Sequence, residues 1–153
     1  NSKYQLRVVS ARCFSFVGPF LPLDKHFAIG NFINDAICGR DINVGGDGTP
    51  LRSYMYATDL IKWLLVILLK GHGGEAYNVG SEEAVSIAKL ARTVADVVGP
   101  PCQIHIAQKP EPNVSPARYI PSIQKAAGEL GLDIEVSLTD AIMKTACWAR
   151  GKK

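Results

Sequence analysis

Two arginines carry the strongest chemical suggestion in this sequence. Arg52 closely follows a glycine-rich turn, Gly45-Gly46-Asp47-Gly48-Thr49-Pro50, and stands among Leu51, Tyr54, Met55 and Tyr56. A cation in such company is costly to bury unless it is paired or faces an anion. The planar guanidinium fork suits phosphate because it donates two parallel hydrogen bonds. Arg118, next to Tyr119 in a proline-rich stretch, admits the same reading. Each is equally readable as a surface arginine or as one half of a structural ion pair, and so is Arg12 within its apolar run. Gly45-Gly46-Asp47-Gly48 is only a partial phosphate loop. It lies between two short strand candidates rather than between a strand and a helix, so a hairpin turn with glycines at positive φ is the better reading. Gly71-His72-Gly73-Gly74 is like the oxyanion loop of some esterases, but no GxSxG elbow accompanies it, and it reads as a helix terminator.

Other constellations are missing. The acids form no paired motif, and no Ser/His/Asp order is defensible. Cys13, Cys38, Cys102 and Cys147 make no CxxC pair, and His26, His72 and His105 fall outside zinc-ligand spacing, so no metal site is expected. Free thiols suit a reducing cytoplasm, the expected location. The sequon Asn113-Val114-Ser115 has no other sign of secretion beside it. With 47% apolar and 20% charged residues in 153, the composition is that of a globular domain. The net charge of +3 comes without a basic stripe, which argues against nucleic acid. The longest apolar run, 60–69, is interrupted by Lys62 and falls short of the ~20 residues a membrane span needs.

The elements that must position these residues alternate. Residues 6–16 read as a buried strand, stopped by Gly18-Pro19. Residues 26–38 have helical spacing, with Gly39 at the C-terminus. Residues 41–44 and 51–56 read as two strands of a hairpin. A long helix follows through Lys70, capped by Thr58 or Asp59. Residues 76–79 are a strand, and 81–99 are a helix with Ser86 as its cap. Residues 103–107 are a weak strand, 109–121 a loop, and 122–130 and 137–150 the last helices, with Ser137 and Asp140 resembling a capping box. Mixed strands and helices imply α/β architecture, with a smaller lobe from about Lys89. The residues alone imply no more than an α/β domain, with an anionic ligand one of the readings its arginines admit.

In sequence order, these segments resemble the second half of the extended short-chain dehydrogenase/reductase family, the NAD-dependent nucleotide-sugar epimerases and dehydratases. Arg12-Cys13-Phe14-Ser15-Phe16-Val17-Gly18-Pro19 resembles its RxxNxxGP segment. Val44-Gly45-Gly46-Asp47-Gly48 with Arg52-Ser53-Tyr54-Met55-Tyr56-Ala57-Thr58-Asp59 resembles its YGDGxxxRDWxYVxD block. Tyr77-Asn78-Val79-Gly80 resembles YNxG. Arg118-Tyr119, Lys125, Glu129-Leu130-Gly131 and Val136-Ser137-Leu138 resemble the closing RYxxDxxKxxxxLGxxPxxxL pattern. The tone is most similar to the dTDP-glucose 4,6-dehydratases.

The resemblance implies an α/β fold made of the last Rossmann strands plus a small mixed α/β substrate-binding lobe. Residues 1–153 would form one C-terminal substrate-binding region, with the NAD-binding Rossmann half absent. Arg52 and Arg118 would clamp a nucleotide sugar's pyrophosphate and ribose. Val44 and Gly45 would lie along the base, Phe27 would cover the nucleotide, and Ser15 would face the sugar. Cys13 and Phe16 would lie toward the nicotinamide. Ser15 stands where the family has Asn, Gly45 where an aromatic is common and Ser53 where Asp is usual. The GxxGxxG fingerprint is missing, and the catalytic YxxxK pair is expected upstream of Tyr4, so no catalytic residue is assigned. The expected function is the nucleotide-sugar-binding portion of an NAD-dependent epimerase or dehydratase, not competent alone. The alternative is a stand-alone, non-enzymatic nucleotide-sugar-binding or interaction module. NAD would serve the parent enzyme. Partners would be a nucleotide sugar and, through an exposed sheet edge, a second copy; neither nucleic acid nor membrane is expected.

Overall fold

The computed structural model describes residues 6–25 and 27–151. Its elements are β1 (Ser10–Cys13), β2 (Phe16–Val17), α1 (Ala28–Ile37), β3 (Ile42–Val44), β4 (Leu51–Arg52), β5 (Met55–Tyr56), α2 (Ala57–Lys70), β6 (Ala76–Val79), β7 (Val85–Ser86), α3 (Ile87–Val98), β8 (Ile104–Ile106), β9 (Arg118–Tyr119), α4 (Gln124–Leu130) and α5 (Leu138–Arg150). The helices follow from their patterns. In α3, Leu90, Ala91, Val94 and Val98 form one buried stripe, and Ser86 Oγ accepts from the Lys89 N–H at 3.2 Å. In α5, Ser137 accepts from the Asp140 N–H at 3.1 Å. Gly39, at φ +66, ends α1 as a left-handed C′ residue. Of α1's expected opening residues, His26 lies outside the described ones.

Strand pairing differs from the sequence reading. β3 and β4 do not form a hairpin. β3 pairs in parallel with β8, while β4 lies between antiparallel β7 and parallel β9. β1 pairs in parallel with β6, and β2 with β5. Of the glycines in the turn between β3 and β4, only Gly48 has positive φ, at +76. A Cβ on Gly48 would lie 2.8 Å from Ala88 Cβ, so the turn is fitted to the start of α3 rather than to a partner strand. Strand 51–56 is broken into β4 and β5, and residues 81–86, expected within a helix, include β7.

The expected buried strand 6–16 is also corrected. β1 is exposed along its whole length, with Leu6 and Val8 exposed before it. Among the described residues its one sheet neighbour is β6. Its Val and Phe content reports surface that needs covering, and within this chain that surface is open. Helix α2 shares the condition. Trp63 and Ile67 face inward, but Ile61, Leu64, Leu65, Leu68 and Leu69 face out.

Two apolar cores result, and they do not divide at Lys89. One gathers α1, β3, α3 and α5 around Ile33, Ile42, Leu90, Val94 and Ile142. The other gathers α2, β6 and α4 around Met55, Trp63, Tyr77, Val79 and Leu132. The carboxylate of Asp59 joins them. It does not cap α2, whose N-cap is Tyr56 without a side-chain bond. It is buried, and its Oδ2 accepts from the N–H groups of Glu135 at 3.2 Å and Val136 at 3.1 Å. Trp63 Nε1 donates to the Asp133 carbonyl at 2.9 Å, so the segment between α4 and α5 is strapped to α2. Asp59→Ala leaves two amides without their acceptor. The expected loss is about 1–3 kcal/mol in urea unfolding, and an unchanged midpoint would show that the strap contributes nothing.

Candidate functional site

A cleft of about 450 Å³ opens between β2, the start of α1 and β4. Phe14, Ser15, Phe16, Leu21, Phe27, Ala28, Ile29, Arg52, Tyr54 and Ile87 line it. Four residues expected to bind nucleotide or cofactor therefore converge: Ser15, Phe16, Phe27 and Arg52. A shallower depression of about 280 Å³ shares Ala28 and Ile87 with the cleft and is lined by Val44 and Gly45. Val44 and Gly45 therefore line this neighbouring depression and not the cleft itself.

Local structure accounts for each position. The Met55 N–H donates to the Ser15 carbonyl at 3.0 Å, which holds the β2 entry against β5 and sets Ser15 and Phe16 at the rim. A Cβ on Gly18 would lie 2.6 Å from Ala57 Cβ, so the chain turns away from β2 where α2 begins. Phe27 is the N-cap residue of α1. Among the described residues no side-chain hydrogen bond caps that helix, and its first turn carries no acid. The positive end of α1 thus opens on the cleft, beside residues Ala28 and Ile29.

Arg52 is half-buried. Its Nη1 donates to the Leu51 carbonyl at 2.8 Å and lies 3.5 Å from that of Ala117. Among the described residues no carboxylate lies within ion-pair distance of Arg52. The structural ion-pair alternative is therefore not realised, and the charge faces the cleft without a counter-ion.

Arg118 occupies the adjacent strand but not the cleft. β9 runs parallel to β4 with Leu51 opposite Arg118 and Arg52 opposite Tyr119. The two arginine Cα atoms are thus roughly 6 Å apart, one strand spacing and one residue. Side chains alternate along a strand, so Tyr119 shares Arg52's side and Arg118 takes the other. Tyr119 stacks on Phe14 with ring centroids 5.0 Å apart. Cys13, expected near the nicotinamide, is exposed at the end of β1 and does not line the cleft. Phe14, Leu21, Tyr54 and Ile87, which line the cleft, were not singled out from the sequence as site residues. An alternation signal existed for Tyr54, two positions from Arg52; for the others the contacts are long-range. Behind the cleft Ser53 is buried, and its Oγ has no partner among the described residues.

Tyr54 cannot serve as a base near neutrality. Burial pushes its hydroxyl up to about 12, against a smaller opposing pull from Arg52. A group whose folded value is raised contributes stability fully below its unfolded value of 10.0, and that stability is lost as pH rises toward 12. Urea midpoints of the native chain should therefore fall more steeply above pH 10 than those of Tyr54→Phe. Parallel curves would contradict the buried phenol.

Comparisons with known proteins bear on the family. Residues 1–80 match the model of the NAD dependent epimerase/dehydratase family. UDP-glucuronic acid decarboxylase 1 of Arabidopsis thaliana is 30% identical over 132 residues, 86% of this chain and 30% of that protein. A dTDP-glucose 4,6-dehydratase of Actinoplanes sp. is 29% identical over 153 residues, 100% of this chain and 47% of its own length. The solved structure of the Bordetella bronchiseptica enzyme WbmF in complex with NADH superposes with a TM-score of 0.84 at 25% identity, covering 99% of this chain and 48% of WbmF. The chain thus spans about a third to a half of the length of these relatives.

Proposed function

This chain belongs to the NAD dependent epimerase/dehydratase family, and we propose that it is the nucleotide-sugar-binding portion of an NAD-dependent nucleotide-sugar epimerase or dehydratase. The observation that carries the reading is Arg52. It is an uncompensated guanidinium in a mostly apolar cleft, and the uncapped N-terminus of α1 opens on the same space. Both favour a diphosphate. In this reading Arg52 and the α1 N-terminus hold the diphosphate, and Phe27 covers it. The base lies along Val44 and Gly45, and the Ser15 hydroxyl faces the sugar. Arg118, on the other side of its strand, is left outside the clamp.

For NAD the residues of this chain are insufficient. Its sequence holds no Gly-x-x-Gly-x-x-Gly run to admit a dinucleotide's pyrophosphate at a helix start. Cys13 and Phe16 would at most border the cofactor in the whole enzyme, and no hydride or proton step is assigned to this chain. The second reading is a stand-alone nucleotide-sugar-binding module that needs nothing outside this chain.

Titration calorimetry with UDP, dTDP, GDP and CDP tests the reading. At least one should bind. Arg52→Ala should weaken that binding about 10- to 100-fold, as the loss of a charged hydrogen bond would, while Arg118→Ala changes it little. Equal affinities for the native chain and Arg52→Ala would overturn the assignment, and micromolar affinity in the chain alone would favour the module. The uncovered edge of β1 and the apolar outer face of α2 are further proposed to make the chain self-associate. A monodisperse monomer in light scattering at high concentration would count against that.

A further inference from the structure

The loop joining β2 to α1 contains a residue in the wrong place for its turn. The Leu21 N–H donates to the Gly18 carbonyl at 3.3 Å, closing a four-residue turn with Pro19 second and Phe20 third. Phe20 has φ +65, the left-handed value that the third position of such a turn demands and that glycine supplies without strain. Phe20 is also 76% exposed. On local grounds an aromatic there is unfavourable twice over, in backbone and in solvation.

What the position gains is a tertiary contact. The Phe20 ring stacks on Trp148, in the last turns of α5, with centroids 4.7 Å apart and planes at 58°. The next residue, Leu21, lines the cleft. The loop beyond it lies tight on α1, where a Cβ on Gly30 would fall 2.8 Å from the Pro22 carbonyl oxygen. From Trp148 to Phe20, Leu21 and the start of α1 the contacts are continuous. We propose that Phe20 and Trp148 are positioning residues. Their stack clamps the 18–25 loop to α5 and fixes the wall that Leu21 and the α1 N-terminus present to the ligand. The proposal rests on the nucleotide-sugar reading of the cleft for its consequence, but the clamp itself does not.

The experiment has two arms. In the first, limited trypsin digestion at Lys25, exposed in the loop, follows loop opening without any ligand. Trp148→Ala, which removes the stack, and Phe20→Gly, which removes it while relieving the turn, should both be cut faster than the native chain. A stack of this kind corresponds to about 2- to 10-fold. Trp148→Phe, which keeps an aromatic partner, should behave as native. In the second arm, UDP-glucose and dTDP-glucose are titrated into the same proteins. Phe20→Gly and Trp148→Ala should bind about 2- to 10-fold more weakly, with Trp148→Phe near native and urea midpoints little changed. If Phe20→Gly is cut no faster than native, the clamp is overturned. Faster cutting with unchanged affinity overturns the positioning role. If no protein, the native chain included, binds either sugar nucleotide while cutting at Lys25 still accelerates, the clamp holds and the cleft's assignment is what fails.

Discussion

One buried carboxylate ties the two apolar cores together, and the positions of the elements around the cleft are set through it. Asp59 reaches from the first turn of α2 to the amides of Glu135 and Val136, in the segment where the chain passes from one core to the other. Leu132 and Ile134 belong to the core around α2, and Val136 and Leu138 to the core around α1 and α5. A buried carboxylate is tolerable only when its oxygens are satisfied. Here the donors that satisfy it are also the backbone that must be held. Trp63 and Lys62 reinforce the strap, through the Asp133 carbonyl and through carboxylates at the surface. Because α2 begins directly after β5, and β5 pairs with the strand entering the cleft, the strap's geometry reaches the site within a few residues.

The cleft is made of parts that individually look like defects. Helix α1 lacks a side-chain cap, Arg52 lacks a carboxylate, and Phe20 occupies a position suited to glycine. Each departs from what an isolated element would prefer; the first two border the cleft, and Phe20 precedes Leu21, which lines it. Such local inconsistencies gather where a sequence serves something besides its own folding. The Asp47 turn behind them is by contrast well satisfied. Its carboxyl accepts from the Thr49 N–H at 3.0 Å and hydroxyl at 2.7 Å, and these bonds hold it below its ordinary value.

Helices were legible because their signal is local. The stripe of α3, the Ser86 and Ser137 caps and Gly39 after α1 all depend on neighbours within a turn or two. Arg52 was legible for another reason: a charge among Leu, Tyr and Met has few inexpensive explanations. Strand partners were not legible. The hairpin expected of residues 41–56 fails because β3 and β4 each find a strand far along the chain, and nothing near them in sequence says so. The exchange of Arg118 for Tyr119 has the same origin. Which of two adjacent residues faces Arg52 depends on a register with a distant strand, and slipping that register by one residue reverses the answer. An exposed sheet edge was expected, but not that β1 would lie open along its whole length, because an apolar run shows that cover is needed, not what provides it.

The parallel pairings also set an order of events. Ser10 meets Ala76, Ile42 meets Ile104 and Leu51 meets Arg118. The amide of Gln103 binds Asp41 across 62 residues, and Arg52 approaches the Ala117 carbonyl across 65. Closing such loops costs entropy before any contact repays it, so topologies of this kind fold slowly. During synthesis β1, β3 and β4 must wait for partners not yet made, and β4 cannot complete its pairing until Tyr119 has emerged. Through that interval α2, apolar on nearly every side, is already present. That apolar surface is therefore uncovered in the unfinished chain, where association between nascent copies competes with folding.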